Sequence, residues 1–322
     1  MTLQDAPRPF RSVREIGAAM QRLIAAGLTD VPMPAAGRTL DRWRALASVG
    51  ALDLSLAKIY EGHTDALAIL TELGGRKSEG LWAVWAAEPP NARLIFHEGR
   101  LTGRKEWCSG AAIMDHAVVS AWTKAGDTIL AQVSLRQPEV AVKSDGWQAV
   151  GMGASQSVAT VFKEAHAEAV GSPGDYVSRP GFWHGGAGIA AVWYGGAVAI
   201  ASALAASSRL SKDSHVAAHL GGVDSALRGA RALLVEAAAW IDANPKTDAL
   251  SVALRVRANV EAAANEVLLR TGRALGPGPL CQDASHAQRC ADLPVFLRQS
   301  HAERDLAALG ESVSADSKSW AL

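Results

Sequence analysis

The chain has 322 residues, of which 49% are apolar or aromatic and 20% charged, enough to bury a large core and too many for a disordered tail or a miniprotein. Its 32 basic and 32 acidic side chains cancel, so no global field draws in a nucleic acid or an anionic membrane. Three cysteines at wide spacings, Cys108, Cys281 and Cys290, make neither a disulfide framework nor a zinc ribbon, and positions 1–14 carry no apolar leader segment. A cytoplasmic, reducing setting is the expectation.

In chain order, three helices come first. Val13, Ile16, Met20 and Leu23 repeat at helical spacing and stop at Gly27; a second stretch runs from Thr39 to Ile59, and a third from Thr64 to the Gly74-Gly75 pair. The period then changes. Short runs at 81–86, 94–97, 117–123, 128–135 and 157–162 cluster β-branched and aromatic residues between turn signals such as Gly99, Gly126 and Asp145-Gly146, which predicts an antiparallel barrel or sandwich. From Arg179 onward the pattern is helical again, with alanine-rich segments near 184–209, 213–242, 247–273 and 293–309, and a four-helix bundle is the economical packing. The expected parts are therefore an N-terminal helical domain at 1–76, a central β domain at 77–175 and a C-terminal bundle at 176–322.

No charged residue occurs from Pro180 to Ser208, a run longer than the roughly 20 residues that span a bilayer. Its content is Gly and Ala with few large aliphatics, which fits a helix enclosed by other helices better than a membrane span. The same helix is expected to lie at an oligomer interface.

The chemistry is sparse. Neither GxxxxGK followed by Ser or Thr nor GxGxxG between strand and helix occurs, although Gly181, Gly185, Gly186 and Gly188 could admit an anion to a helix N-terminus. His215 and His219 lie four apart on a helix, but no third ligand completes a metal site, so no metal is expected. Cys108 reads as a buried small apolar residue. Among 10 tryptophans, Trp107 stands out because Ser109, two residues on along a strand, shares its face and can hydrogen-bond a planar heterocycle that stacks on the indole. His301, with Glu303 and Asp305 near it, is the candidate general base or acid.

Two segments carry a resemblance. The run Leu101-Thr102-Gly103-Arg104-Lys105-Glu106-Trp107-Cys108-Ser109-Gly110-Ala111 resembles the N-G-x-K-x-W-I-(T/S) segment in the middle domain of acyl-CoA dehydrogenases. The run Gly151-Met152-Gly153-Ala154-Ser155-Gln156-Ser157 resembles another stretch of the same domain, and Ala86-Ala87-Glu88-Pro89 a remnant of the family's Thr-Glu-Pro strand. The resemblance implies the order helices, β domain, helical bundle. It also implies an FAD-binding homodimer or homotetramer that takes an α proton from an acyl thioester while the flavin takes a β hydride, and an electron-transfer partner. Trp107 and Ser109 match the positions that pack on and hydrogen-bond the isoalloxazine, and Arg209 stands nearest to the arginine that contacts the FAD diphosphate.

Departures matter as much. The Gly-Ser-Asp loop that helps hold FAD has no counterpart between Pro89 and Leu94, and the catalytic Glu-Gly-Thr segment is absent. Counting on from Arg289 and Asp292 puts His301 about where that glutamate belongs, with Glu303 as second choice. A histidine there resembles the flavin monooxygenase branch of the same fold, which would require reduced flavin from a reductase. A flavin-free relative that binds an acyl group or a protein partner is the third reading.

Overall fold

The computed structural model describes residues 8–90, 92–314 and 320; half of the N-terminal segment read above as leader-free, and Asn91, fall outside them. The helices are α1 (Val13–Ala25), α2 (Thr39–Leu52) and α3 (Leu54–Leu73), then, after the strands, α4 (Asp175–Ser178), α5 (Gly181–Ala205), α6 (Ser214–Ala243), α7 (Leu250–Leu275), α8 (Gly278–Gln282), α9 (Ala284–Phe296) and α10 (Glu303–Ser314). The strands are β1 (Trp82–Trp85), β2 (Leu94–His97), β3 (Arg100–Cys108), β4 (His116–Trp122), β5 (Thr128–Ser134), β6 (Val140–Val142) and β7 (Val158–Val170). The described residues group into a β-rich unit, containing those up to Val31, Lys58–Ala149 and Gly153–Phe182, and a helical unit, containing Pro32–Ala57, Val150–Met152 and those from Trp183 on.

In the β-rich unit, α1 starts where the Ser12 hydroxyl accepts the Glu15 amide, and it buries the periodic Val13, Ile16, Met20 and Leu23. The seven strands make one sheet in which β4 is the hub. β4 pairs with β5 on one edge and with β1, then β2, on the other; β2–β3–β7–β5 completes a ring back to β4. The sequence pattern predicted an antiparallel arrangement, yet β1–β4 and β2–β4 run parallel. The long crossing from β1 and β2 to β4 is what a parallel pair requires, and local turn signals do not reveal it. β4 and β5 are buried on both faces, and only Ser120 and Gln132 interrupt their apolar interiors. Ala66, Ile69 and Leu70 of α3 form a cluster with Trp82, Val118, Leu130 and Val170 of the sheet.

The helical stretch expected to run from 39 to 59 breaks at Asp53. Its amide closes α2 on the Val49 carbonyl (3.0 Å), and its carboxylate accepts the Leu56 amide (2.9 Å) to open α3, which then runs without interruption to Leu73. At the other end of α2, the Asp242 carboxylate of α6 accepts the Gly37 and Thr39 amides (both 3.0 Å) and the Thr39 hydroxyl (2.6 Å).

α5 is the one described helix long and apolar enough to cross a membrane, but 67% of its most apolar window is buried, as in a core helix. Its glycines serve a crossing. A Cβ on Gly195 would lie 2.0 Å from the Ala47 carbonyl oxygen of α2, and one on Gly50 would lie 2.4 Å from the Val192 carbonyl oxygen of α5.

The last expected helix, 293–309, is two. α9 carries Pro294, the chain tightens into a 3-10 turn at Leu297–Gln299, Ser300 is extended, and Ala302 takes φ +48 before α10 begins. His301 therefore stands in a turn ahead of a helix, not inside one.

Candidate functional site

The β-rich unit places Trp107 and Ser109 at the end of β3. That strand pairs with β7 as far as Lys105↔Thr160, and the next pair, Cys108↔Val158, is reached only through a register shift. The bulge leaves Trp107 in the left-handed region at φ +55, where a bulky residue is an outlier. Its indole is 60% exposed, whereas Ser109 is 8% exposed. The strict alternation that put both on one face ends at the bulge, so they share a neighbourhood without sharing a face.

The backbone beyond is fixed from both sides. Gly110, at φ +68, donates its amide to the Ser155 carbonyl (2.8 Å), and a Cβ there would come within 2.6 Å of Ile59 and 2.8 Å of Met114. The Trp85 indole N–H donates to the Ser109 carbonyl (3.3 Å). The Ser109 hydroxyl then meets that of Ser157 at 2.8 Å, and Ser157 meets that of Ser155 at 3.1 Å. Beside Ser109 lies a small pocket walled by Ile59 and Gly62 of α3, Ala83 and Trp85 of β1, and Met114.

A buried ion pair braces the same strand. Lys105, 2% exposed, gives its ammonium to Glu88, to the Ser120 carbonyl (2.9 Å) and to the Ser120 hydroxyl (2.7 Å), while Glu88 also accepts the Trp122 indole N–H (2.9 Å). Burial pulls the Lys105 pKa down, and the hydrogen bond and charge of Glu88 oppose it. Nothing local pairs Glu88 with Lys105; the one signal is that both sit in family-like segments. Cys108 is fully buried, and burial pushes its thiol up to about 12, in keeping with a packed apolar residue.

In the helical unit, Asp305 holds His301 twice: one carboxylate oxygen accepts the His301 backbone amide (3.0 Å), the other lies 3.2 Å from Nδ1. When Nδ1 carries the hydrogen, Nε2 is the free acceptor. The imidazole is 58% exposed. Arg257, which sequence reasoning missed, seats the turn: it lies over the Trp193 ring (5.0 Å) and donates to the Gly186 carbonyl (3.1 Å) and the Gln299 carbonyl (2.7 Å). Glu303 is exposed in the first turn of α10. Arg209 donates to the Ala274 carbonyl (2.9 Å) at the end of α7 and pairs with Asp213 (2.8 Å), the N-cap of α6.

One other expectation resolves simply. The first amide of α5, Gly181, is taken by the Glu72 carboxylate (3.0 Å), which also pairs with Arg179, so the chain supplies its own anion there. Among the described residues, no group of three or more His, Cys, Asp or Glu side chains could hold a metal.

Asp292, named above only as a counting mark, is 1% exposed and accepts the Met152 amide and the Gln288 side-chain amide (2.7 Å). Burial pushes its carboxyl up to about 6, against those two hydrogen bonds and with some help from Asp53. Between about pH 4 and 6 the folded chain holds a proton that the unfolded chain has released, so this group lowers stability as pH rises through that window, by about 3 kcal/mol. Asp292→Asn keeps an acceptor for Met152. Its stability relative to the parent should improve between pH 4 and pH 7 in urea titrations, and a constant difference would refute the assignment.

The exposed indole of Trp107 and, on a different face, the Ser109 hydroxyl backed by two more are groups of the kind that meet a flavin ring. No protein-family model and no curated protein matches the sequence. The chain has the fold of the acyl-CoA dehydrogenases and of the flavin enzymes built on it. It is similar to TdsC, a dibenzothiophene monooxygenase from Paenibacillus sp. A11-2 solved with FMN and indole, at 16% identity and a TM-score of 0.76 over 91% of this chain and 89% of that one. It is also similar to KijD3, solved with FMN and a dTDP-sugar, at 19% identity and a TM-score of 0.77 over 94% of this chain and 86% of that one. A third is the methanesulfinate monooxygenase MsuC from Pseudomonas fluorescens, at 17% identity and a TM-score of 0.76 over 95% of this chain and 96% of that one.

Proposed function

We propose that this chain is a flavin-dependent monooxygenase that receives reduced flavin from a separate reductase and acts on a small molecule. The observation that carries the reading is the Asp305–His301 pair, which presents Nε2 as a proton carrier at the point in the sequence where dehydrogenation of an acyl thioester needs a carboxylate. Bound reduced flavin supplies the two electrons with which dioxygen gives one oxygen atom to substrate and one to water. Trp107 offers the ring its flat face and Ser109 a hydrogen bond; His301 moves a proton, and Asp305 holds the imidazole in one tautomer. TdsC and MsuC are monooxygenases, and TdsC and KijD3 were solved with FMN. Arg209 is committed to Ala274 and Asp213, which favours FMN over FAD.

Acyl thioester dehydrogenation remains the second reading, favoured by the motif around Trp107 and Ser109, with His301 or Glu303 as base. In either reading the chain has an N-terminal helical part at 1–76, a central β part at 77–175 and a C-terminal helical bundle at 176–322, and works as a cytoplasmic homodimer or homotetramer.

The test is to add oxidised and chemically reduced FMN and FAD in turn to the purified chain and remove unbound flavin by gel filtration. Retained flavin, reoxidised by oxygen and not bleached by acyl-CoA under nitrogen, supports the monooxygenase. Bleaching by acyl-CoA supports the dehydrogenase instead. Retention of neither flavin in either state overturns both and leaves the flavin-free binding protein.

A further inference from the structure

The flavin reading assigns Ser109 one hydrogen bond and says nothing of the two hydroxyls behind it. Ser109, Ser157 and Ser155 form a chain at 2.8 and 3.1 Å, with Ser109 8% and Ser155 1% exposed. Each hydroxyl has one hydrogen and two lone pairs, and either member of each pair can be the donor. A chain of this kind has two consistent polarities. In one, Ser157 donates to Ser109 and Ser109 donates outward; in the other, Ser109 donates inward to Ser157 and accepts from outside. Turning the hydroxyls exchanges the two: each hydrogen bond is broken and remade with its direction reversed, no covalent bond is broken, and no proton is gained or lost.

The backbone around the chain does not move with it. The Gly110 amide is fixed on the Ser155 carbonyl and the Trp85 indole on the Ser109 carbonyl, so the main chain that carries these two hydroxyls is held while their hydrogens turn. A flavin ring makes complementary demands: its central nitrogen N5 is a bare acceptor when the ring is oxidised and an N–H donor when it is reduced. A lone buried serine satisfies the first without strain. Accepting from an N–H leaves its own hydrogen to be placed, and an unplaced buried donor is costly.

We propose that Ser157 is a positioning residue that acts through Ser109, taking the Ser109 hydrogen when reduced flavin is bound and returning one when the flavin is oxidised. The proposal rests on the flavin reading above and adds the redox state that the site prefers: without Ser157, the site discriminates against reduced flavin.

The experiment is a pair of affinity titrations, with oxidised flavin in air and with dithionite-reduced flavin under nitrogen, on the parent chain, Ser157→Ala and Ser157→Thr. In Ser157→Ala the affinity for reduced flavin should fall about tenfold, the cost of one unsatisfied buried donor, and that for oxidised flavin by less than about threefold. Ser157→Thr, which keeps the hydroxyl, should restore both. Equal losses in the two states would mean that Ser157 only packs, and no loss in either would mean that it does nothing at the site; each overturns the proposal and leaves the flavin reading standing. A parent chain that binds neither form removes the flavin reading and this proposal with it.

Discussion

Gly195→Ala lowers the melting temperature of the helical unit by about 10 °C. The added Cβ would stand 2.0 Å from the Ala47 carbonyl oxygen, a contact with backbone that no side-chain rotation relieves. To admit it, α5 and α2 must separate at a crossing that Gly50 makes from the other side, where its own missing Cβ leaves room for the Val192 carbonyl. Overpacking of this kind costs about 3 kcal/mol, which at about 3 °C per kcal/mol gives the stated shift. Gly229→Ala is the control: it sits in α6 with nothing within 4 Å of the added carbon, so the helix preference of alanine should leave it neutral or slightly more stable. Thermal denaturation followed by circular dichroism reads both. A Gly195→Ala shift no larger than that of Gly229→Ala would mean that the crossing relaxes, and that the glycines of α5 are not what lets it approach α2.

That crossing shows what the sequence could and could not reveal. The apolar, glycine-rich run from 180 to 208 was legible as an enclosed helix because it has no wet face, but nothing local says that Gly195 answers Ala47 of a helix far earlier in the chain. The period-3.6 stretch of α1 and the long alanine-rich segments of α6 and α7 were likewise legible, as were the runs that became β4 and β5. Three of the misreadings lie where one residue changes its role. Asp53 ends one helix and caps the next, Ser300 and Ala302 interrupt what periodicity reads as a single helix, and the bulge before Cys108 turns Trp107 outward. Parallel pairing of β1 and β2 with β4 depends on chain crossings and leaves no mark in strand alternation. For the same reason the site residues named from sequence lacked their supports: Arg257 reaches the Gln299 carbonyl across 42 positions, and Glu88 reaches Lys105 across 17.

His301→Ala should lower monooxygenase turnover by about a hundredfold or more, the usual worth of a positioned proton carrier. The two carboxylate oxygens of Asp305 bind the His301 amide and Nδ1, so the ring is oriented by a carboxylate only four residues away, and the turn that carries both is seated by Arg257 on the Gln299 carbonyl. Asp305→Asn keeps an acceptor for the amide but loses the charge facing Nδ1, and a charge-assisted hydrogen bond of this kind is worth about 2 kcal/mol, or roughly thirtyfold in rate. The double variant should then be no slower than His301→Ala alone, because Asp305 acts only through the imidazole. Product formation from reduced flavin and oxygen, with flavin binding measured separately, checks the ordering. If His301→Ala turns over at the parent rate, the proton role falls; if the two substitutions multiply instead, Asp305 has a task of its own and the tautomer argument fails. Glu303→Gln separates the remaining reading, since only a carboxylate base for acyl thioester dehydrogenation would make that exposed side chain matter.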